Sequence, residues 1–197
     1  MNSFSLLTKV VVTITLSVLP LFASANIVFL TGEDSRDITS RTAFLNMFDN
    51  SSASISEGGS VWSVSTVGNS TLNVNGGSLN TLWAGGSSKT IIESGSVGSI
   101  FSAFNSEITL SNTYGLGSVS LLGDSVLNLQ ATQVEMLSNT ISGYWLDGSA
   151  FSFNFFGKPS NVVVSEVPVP AAFWLFSSAV MGLAVIGRRR RLGAQAA

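Results

Sequence analysis

Apolar positions between residues 50 and 140 recur in short triplets of apolar, polar, apolar, such as Leu72-Asn73-Val74, Ile108-Thr109-Leu110 and Leu127-Asn128-Leu129. A period of two is that of an extended strand with one face inward and one outward. Aligning the triplets exposes a repeat. Its copies read Asn50-Ser51-Ser52-Ala53-Ser54-Ile55, Asn69-Ser70-Thr71-Leu72-Asn73-Val74, Ser87-Ser88-Lys89-Thr90-Ile91-Ile92, Asn105-Ser106-Glu107-Ile108-Thr109-Leu110 and Asp124-Ser125-Val126-Leu127-Asn128-Leu129, with starts stepping by 19, 18, 18 and 19 residues. A second block follows the first three copies, with an apolar pair three apart: Val61/Val64, Leu79/Leu82 and Val97/Ile100. The last copy keeps this block in degenerate form as Val134-Glu135-Met136-Leu137. Gly-Gly or Ser-Gly between the blocks allows the positive φ of a tight turn.

A unit this short cannot bury its apolar face alone, but stacked units share one continuous core. The pattern therefore predicts an all-β fold, a parallel β-helix or β-solenoid of about five coils, with equivalent residues in ladders about 4.8 Å apart. Eighteen residues per coil also suits a left-handed helix of hexads. Apolar positions 72, 74, 79 and 82 are not six apart, which favours a right-handed parallel β-helix or a related solenoid. The column Asn50/Asn69/Ser87/Asn105/Asp124 and the Ser column beside it are expected to form a turn ladder of stacked side-chain hydrogen bonds. Around residues 50–140, residues 26–49 are expected to cap the N-terminal end, with Ile38, Phe44, Leu45 and Phe48 at roughly helical spacing. Residues 141–157 alternate around Asp147-Gly148 and read as a closing hairpin, and residues 158–166, with Pro159, read as a linker.

The two ends carry a different pattern. Lys9 precedes a largely apolar run from Val10 to Phe22 and then Ala23-Ser24-Ala25. That is a signal peptide over residues 1–25, with an A-x-A site at Ala23 and Ala25 and Asn26 as the first mature residue; the alternative is an uncleaved anchor. Near the C-terminus, Val167-Pro168-Val169-Pro170-Ala171-Ala172 leads into an apolar run over residues 171–187, closed by Arg188, Arg189, Arg190 and Arg191. Seventeen helical residues at about 1.5 Å each span about 25 Å, enough for a thin bilayer core. The arginines stop transfer and keep the C-terminus cytoplasmic. The prolines leave an extended, protease-accessible stretch on the outer side.

Proline motif, apolar helix and arginine cluster in that order resemble the PEP-CTERM sorting signal. The match is closest to its VPLPA variant, typically VPLPAAxWLF followed by a helix and arginines. Pro168, Pro170, Ala171, Ala172, Trp174, Leu175 and Phe176 fit that variant, and Val169 departs from it. The resemblance covers residues 167–191. It implies recognition by an exosortase, a membrane-embedded cysteine transpeptidase-like enzyme, followed by removal of the helix. It also implies a Gram-negative host that makes exopolysaccharide. The GGSV…NST repeat with its closing W-x-DG-S segment also resembles the repeat regions of PEP-CTERM cargo proteins.

Composition narrows the chemistry. The chain has no His and no Cys, so a Ser-His-Asp set, a thiolate metal site, a disulfide and a lipidated Cys are excluded. Neither interior Lys supports a Ser-x-x-Lys or Walker motif. Between Asn26 and Pro170 four basic residues face eleven acids, a net charge of −7, which is no footprint for nucleic acid. Glu57 and Glu93, two coils apart, would lie roughly 9.6 Å from each other at the strand spacing. That is the upper edge of the window of about 6.5–9.5 Å for inverting glycoside hydrolysis. With Asn75 between them and no supporting cluster, they read as surface carboxylates. Glu33, Asp34 and Asp37 are a weak candidate for Ca²⁺. Trp83 falls over Phe101 in the repeat register, with Trp62 nearby; these rings are expected to pack on the core or a cap, although aromatics displayed on a solenoid can bind sugar faces. The outward triplet positions Ser54, Asn73, Ile91, Thr109 and Asn128 form no Thr ladder of the kind ice binding requires.

The expected protein is an exported, exosortase-processed, non-catalytic surface or matrix component, with no cofactor and no metal. Its expected partners are signal peptidase and the Sec machinery, exosortase, the inner membrane in passing, and exopolysaccharide. The alternatives are a polysaccharide-active β-helix enzyme and a resident membrane protein that keeps its tail.

Overall fold

The computed structural model describes residues 26–165. The expected signal-peptide residues Ala23 and Ala25, the expected sorting motif Val167 to Ala172, the apolar run 171–187 and Arg188 to Arg191 lie outside the described residues. Among the described residues there is no α-helix; the single helical turn is a 3₁₀ turn at Pro159–Asn161.

The chain winds through about six turns of a parallel β-solenoid. One ladder, face A, holds the triplets. It stacks β2 (Ser35–Ile38), β4 (Ser52–Ser56), the first half of β6 (Thr71–Ala84), the first half of β7 (Lys89–Ser102), β8 (Glu107–Leu110), β11 (Val126–Leu129) and β15 (Val162–Val164), all parallel. The second ladder, face B, stacks β1 (Ile27–Leu30), β3 (Arg41–Met47), β5 (Ser60–Thr66), the second halves of β6 and β7, β10 (Ser118–Leu121) and β14 (Ala150–Phe156), again all parallel. The short β9 (Thr113–Tyr114) pairs with β7. Ser52, Thr71, Lys89, Glu107 and Val126 are ladder partners, so the hydrogen-bonded register is the 19-, 18-, 18-, 19-residue repeat of the sequence.

Inward columns explain why the stack holds. Ile55, Val74, Ile92, Leu110 and Leu129 lie one above another, each fully buried. On face B the pair three apart is inward at both positions, as with Leu79 and Leu82. A regular strand would send one of them outward. Here the ladder skips Trp62 and Asn80 between paired neighbours, and the local break returns both side chains to the core.

Two glycine-rich columns turn the chain. At the bend from face B to face A, Gly32, Asp49, Gly68, Gly86, Phe104 and Gly123 all take positive φ, from 56° at Asp49 to 77° at Gly68. An L-residue with a bulky side chain is strained there, so Phe104 at φ 64° is the misfit of the column. At the other bend Gly77 is needed for closeness, because a Cβ there would lie 2.4 Å from Ile55 Cγ2 in the coil below.

Several expectations are corrected. Residues 26–49 are not a helically spaced cap but the first strands β1, β2 and β3, which makes about six turns rather than about five. Val134 to Leu137 is not a parallel second block. It belongs to β12 (Ala131–Leu137), which runs antiparallel to β13 (Thr140–Trp145). β13 in turn runs antiparallel to β14, and β14 occupies the rung on β10. The hairpin turn is at Asp147-Gly148, and buried Trp145 holds it by donating Nε1–H to Thr113 O at 2.8 Å and stacking on Phe151. The linker includes β15, a further rung on β11. Of the expected Asn ladder one link forms, Asn69 Nδ2 to Asn50 Oδ1 at 3.3 Å. Ser51, Ser70, Ser88, Ser106 and Ser125 instead point into the interior, where the last two donate to the carbonyls of Ala103 and Leu122.

Two substitutions separate core from turn. Ile92→Ala empties the middle of a buried column and should cost about 2–5 kcal/mol. Phe104→Gly relieves the left-handed strain and should gain about 1 kcal/mol, because its exposed ring buries little. Urea denaturation followed by circular dichroism measures both, and a loss of stability in Phe104→Gly would contradict the strain argument.

Candidate functional site

The acidic candidates are placed apart. Asn75 pairs with Ser94, and Ser94 Oγ donates to Asn75 Oδ1 at 3.3 Å. Glu93 therefore falls at a register shift, and Glu57 lies beside Gly76. The proposed column of Glu57, Asn75 and Glu93 does not exist as a ladder. Asp34 Oδ2 accepts from the Thr31 amide at 3.0 Å, closing a turn. Asp37 Oδ1 accepts from Ser54 Oγ and Ser56 Oγ, each at 2.7 Å, linking the first coil to the second. Among the described residues no three acidic groups meet as a metal-holding cluster.

The aromatic candidates are brought together on the outside. Trp62 is 64% exposed and Trp83 50% exposed, so neither packs into the core or under a cap. Trp83 and Phe101 are ladder partners on face B, with ring centroids 4.7 Å apart and planes tilted by 45°. Phe44 is exposed on the same face, and so are Phe29 and Phe156 at its two ends. Between the rings run hydroxyl rows. Ser63, Thr81, Ser99 and Ser118 are successive partners, and Ser118 Oγ donates to Ser99 Oγ at 3.4 Å.

Charge is distributed against this face. None of the acids falls in β1, β3, β5, β10, β14 or the face B halves of β6 and β7, and Arg41 is their only charged residue. Face A, by contrast, shows Ser54, Asn73, Ile91, Thr109 and Asn128 in one outward row, with Lys89 and Glu107 in another. The Asn128 side-chain amide donates to Glu107 Oε1 at 2.7 Å.

A groove of about 420 Å³ opens beside Trp62, lined also by Arg41, Ser60, Ser78 and Asn80. It offers one broad aromatic surface, a fork of guanidinium donors, an amide and two hydroxyls. A second groove of about 490 Å³ lies between the β9 loop and the closing hairpin, with Asn112, Tyr114, Asp147 and Phe151 in its wall. Sequence reading paired Trp83 with Phe101 correctly but missed Phe44 and the absence of acids around them. The available signal was that the second blocks of the first three copies hold no acid, Glu135 falling only in the degenerate last one.

Comparison with known proteins finds no matching family model, no matching curated protein and no matching solved structure.

The two serine hydroxyls hold the Asp37 carboxyl below its ordinary value of 3.8. A carboxylate with a depressed folded-state pKa contributes stability above the unfolded value, and that contribution is lost as pH falls through the folded one. The tie between the first two coils should therefore weaken as pH drops below about 4. Hydrogen exchange of the β2 and β4 amides between pH 5 and pH 3 should show this acid-induced opening in the parent chain. Asp37→Asn should flatten its pH dependence.

Proposed function

We infer that this chain is an exported, non-catalytic surface or matrix protein that works by many weak contacts along one face of a β-solenoid. The observation that carries the reading is the face B surface, free of acid and studded with exposed aromatics, in a body of net charge −7. Large apolar side chains held in water along a broad, nearly uncharged face favour adhesion to a partner over solubility alone. The signal peptide and the PEP-CTERM-like tail support the address. In this reading the Sec machinery and signal peptidase release Asn26, and the tail lodges in the inner membrane with its arginines inside. An exosortase then cuts near Val167-Pro168-Val169-Pro170, delivering the solenoid to the cell surface or the surrounding exopolysaccharide.

The first described strand begins at Ile27, and Asn26 O already accepts from the Ala43 amide at 2.8 Å. Cleavage after Ala25 would leave the first rung intact. Intact-mass measurement of cell-associated and secreted forms tests the route. The expected product lacks both Met1 to Ala25 and the arginine tail, whereas a mature form that retains Arg188 to Arg191 would refute sorting.

A further inference from the structure

We propose that face B binds an uncharged polysaccharide of pyranose rings with equatorial hydroxyls, with Trp62 and Trp83 as its stacking platforms. The proposal deepens the adhesive role above and rests on it. Such a sugar ring has two flat C–H faces and a rim of hydroxyls. It therefore needs an aromatic plane for its face and mixed donors and acceptors for its edge.

Face B supplies both in alternation. The Trp62 ring stands in the groove with Arg41, Ser60, Ser78 and Asn80 around it. One coil higher and further along the strand, Trp83 leans on Phe101. A shallow apolar hollow there includes Ser65, Val67, Trp83, Phe101 and Phe104. The Ser63-Thr81-Ser99-Ser118 row runs between, giving a hydroxyl every rung, about 4.8 Å apart.

Charge selects among ligands. With no acid on its strands and Arg41 alone as a charge, the face has nothing to hold a cationic chain. The net charge of −7 on the body opposes long-range attraction of an anionic one. The hydroxyl rows interrupt the aromatics, so no continuous apolar centre forms of the kind a protein interface desolvates. An uncharged glycan is the partner this pattern fits.

The test uses the protein as its host exports it, run in native gels containing hydroxyethylcellulose, xyloglucan or polygalacturonate. A neutral glycan should retard it and polygalacturonate should not. The Trp62→Ala/Trp83→Ala double variant should bind about tenfold more weakly, the summed loss of two ring stacks. Ile91→Ala on face A should bind as the parent does. Both tryptophans are exposed, so the double variant should keep the parent's circular dichroism. Neutral glycan should also shift tryptophan emission to the blue in the parent and not in the double variant, because Trp145 is already buried and Trp174 lies beyond the proposed cut.

No retardation by either neutral glycan, unchanged binding by the double variant, or stronger retardation by polygalacturonate would each overturn the proposal. So would a concentration-dependent dimer that the double variant abolishes, since the face would then serve a second copy. Normal export and processing without glycan binding defeats this inference alone. Glycan binding by a chain that is never exported defeats the surface role and leaves the glycan face standing.

Discussion

No rung of this solenoid can bury its own apolar side chains or satisfy its own backbone, and the fold follows from that dependence. The amides and carbonyls of each strand are paired by the strands above and below, and the same neighbours cover Ile55, Val74, Ile92 and their column mates. Nearly equal coil length keeps each column in line, which is why the sequence repeats. Glycine enters where one coil must pass close to the next, as at Gly95, whose Cβ would run into the Gly77 carbonyl oxygen. The first rung closes the dependence differently. Arg36 pairs with Ala53 and so stands at the foot of an inward aliphatic column, where another solenoid added end-on would bury a guanidinium.

The same dependence accounts for what was legible. Triplets alternate cleanly, and the register drawn from them is the register of the ladders. The N-terminal segment misled because Ile38, Phe44, Leu45 and Phe48 are spaced roughly as on a helix, whereas the inward residues are Ile38, Thr42 and Leu45, at spacings of four and three, and Phe44 and Phe48 are exposed. That spacing is a helix signature, yet here a bend follows Ile38 and the irregularity of β3 separates Thr42 from Leu45. It is the same departure from period two that places Leu79 and Leu82 together. The end of the repeat misled for a topological reason. Val134 to Leu137 looks like the second block but is drawn into a meander, and the alternating Phe151, Phe153 and Phe155 of β14 fill the rung instead.

Surface chemistry was harder to read than core chemistry. Aromatics next to Val64, Leu82 and Ile100 look like more core until the break in face B is known, and only then do Trp62 and Trp83 turn outward. The apparent alignment of Glu57 with Glu93 failed at the irregular pairing that follows Val74, where one extra residue moves a side chain to another column. Acids gather in the bends and on face A, while rings and hydroxyls gather on face B. This sorting becomes visible once strands are assigned to faces.

The order of rungs gives the molecule a direction. Chain growth runs from β1 at one end to β14 and β15 at the other, and Ser165 follows directly on β15. Trp62 on β5 sits four rungs from β14, about 19 Å along the axis, so a hold on the chain at Ser165 would act well away from it. A short rod gripped at that end would show its far side to the surroundings, with the Trp62 ring clear of the grip.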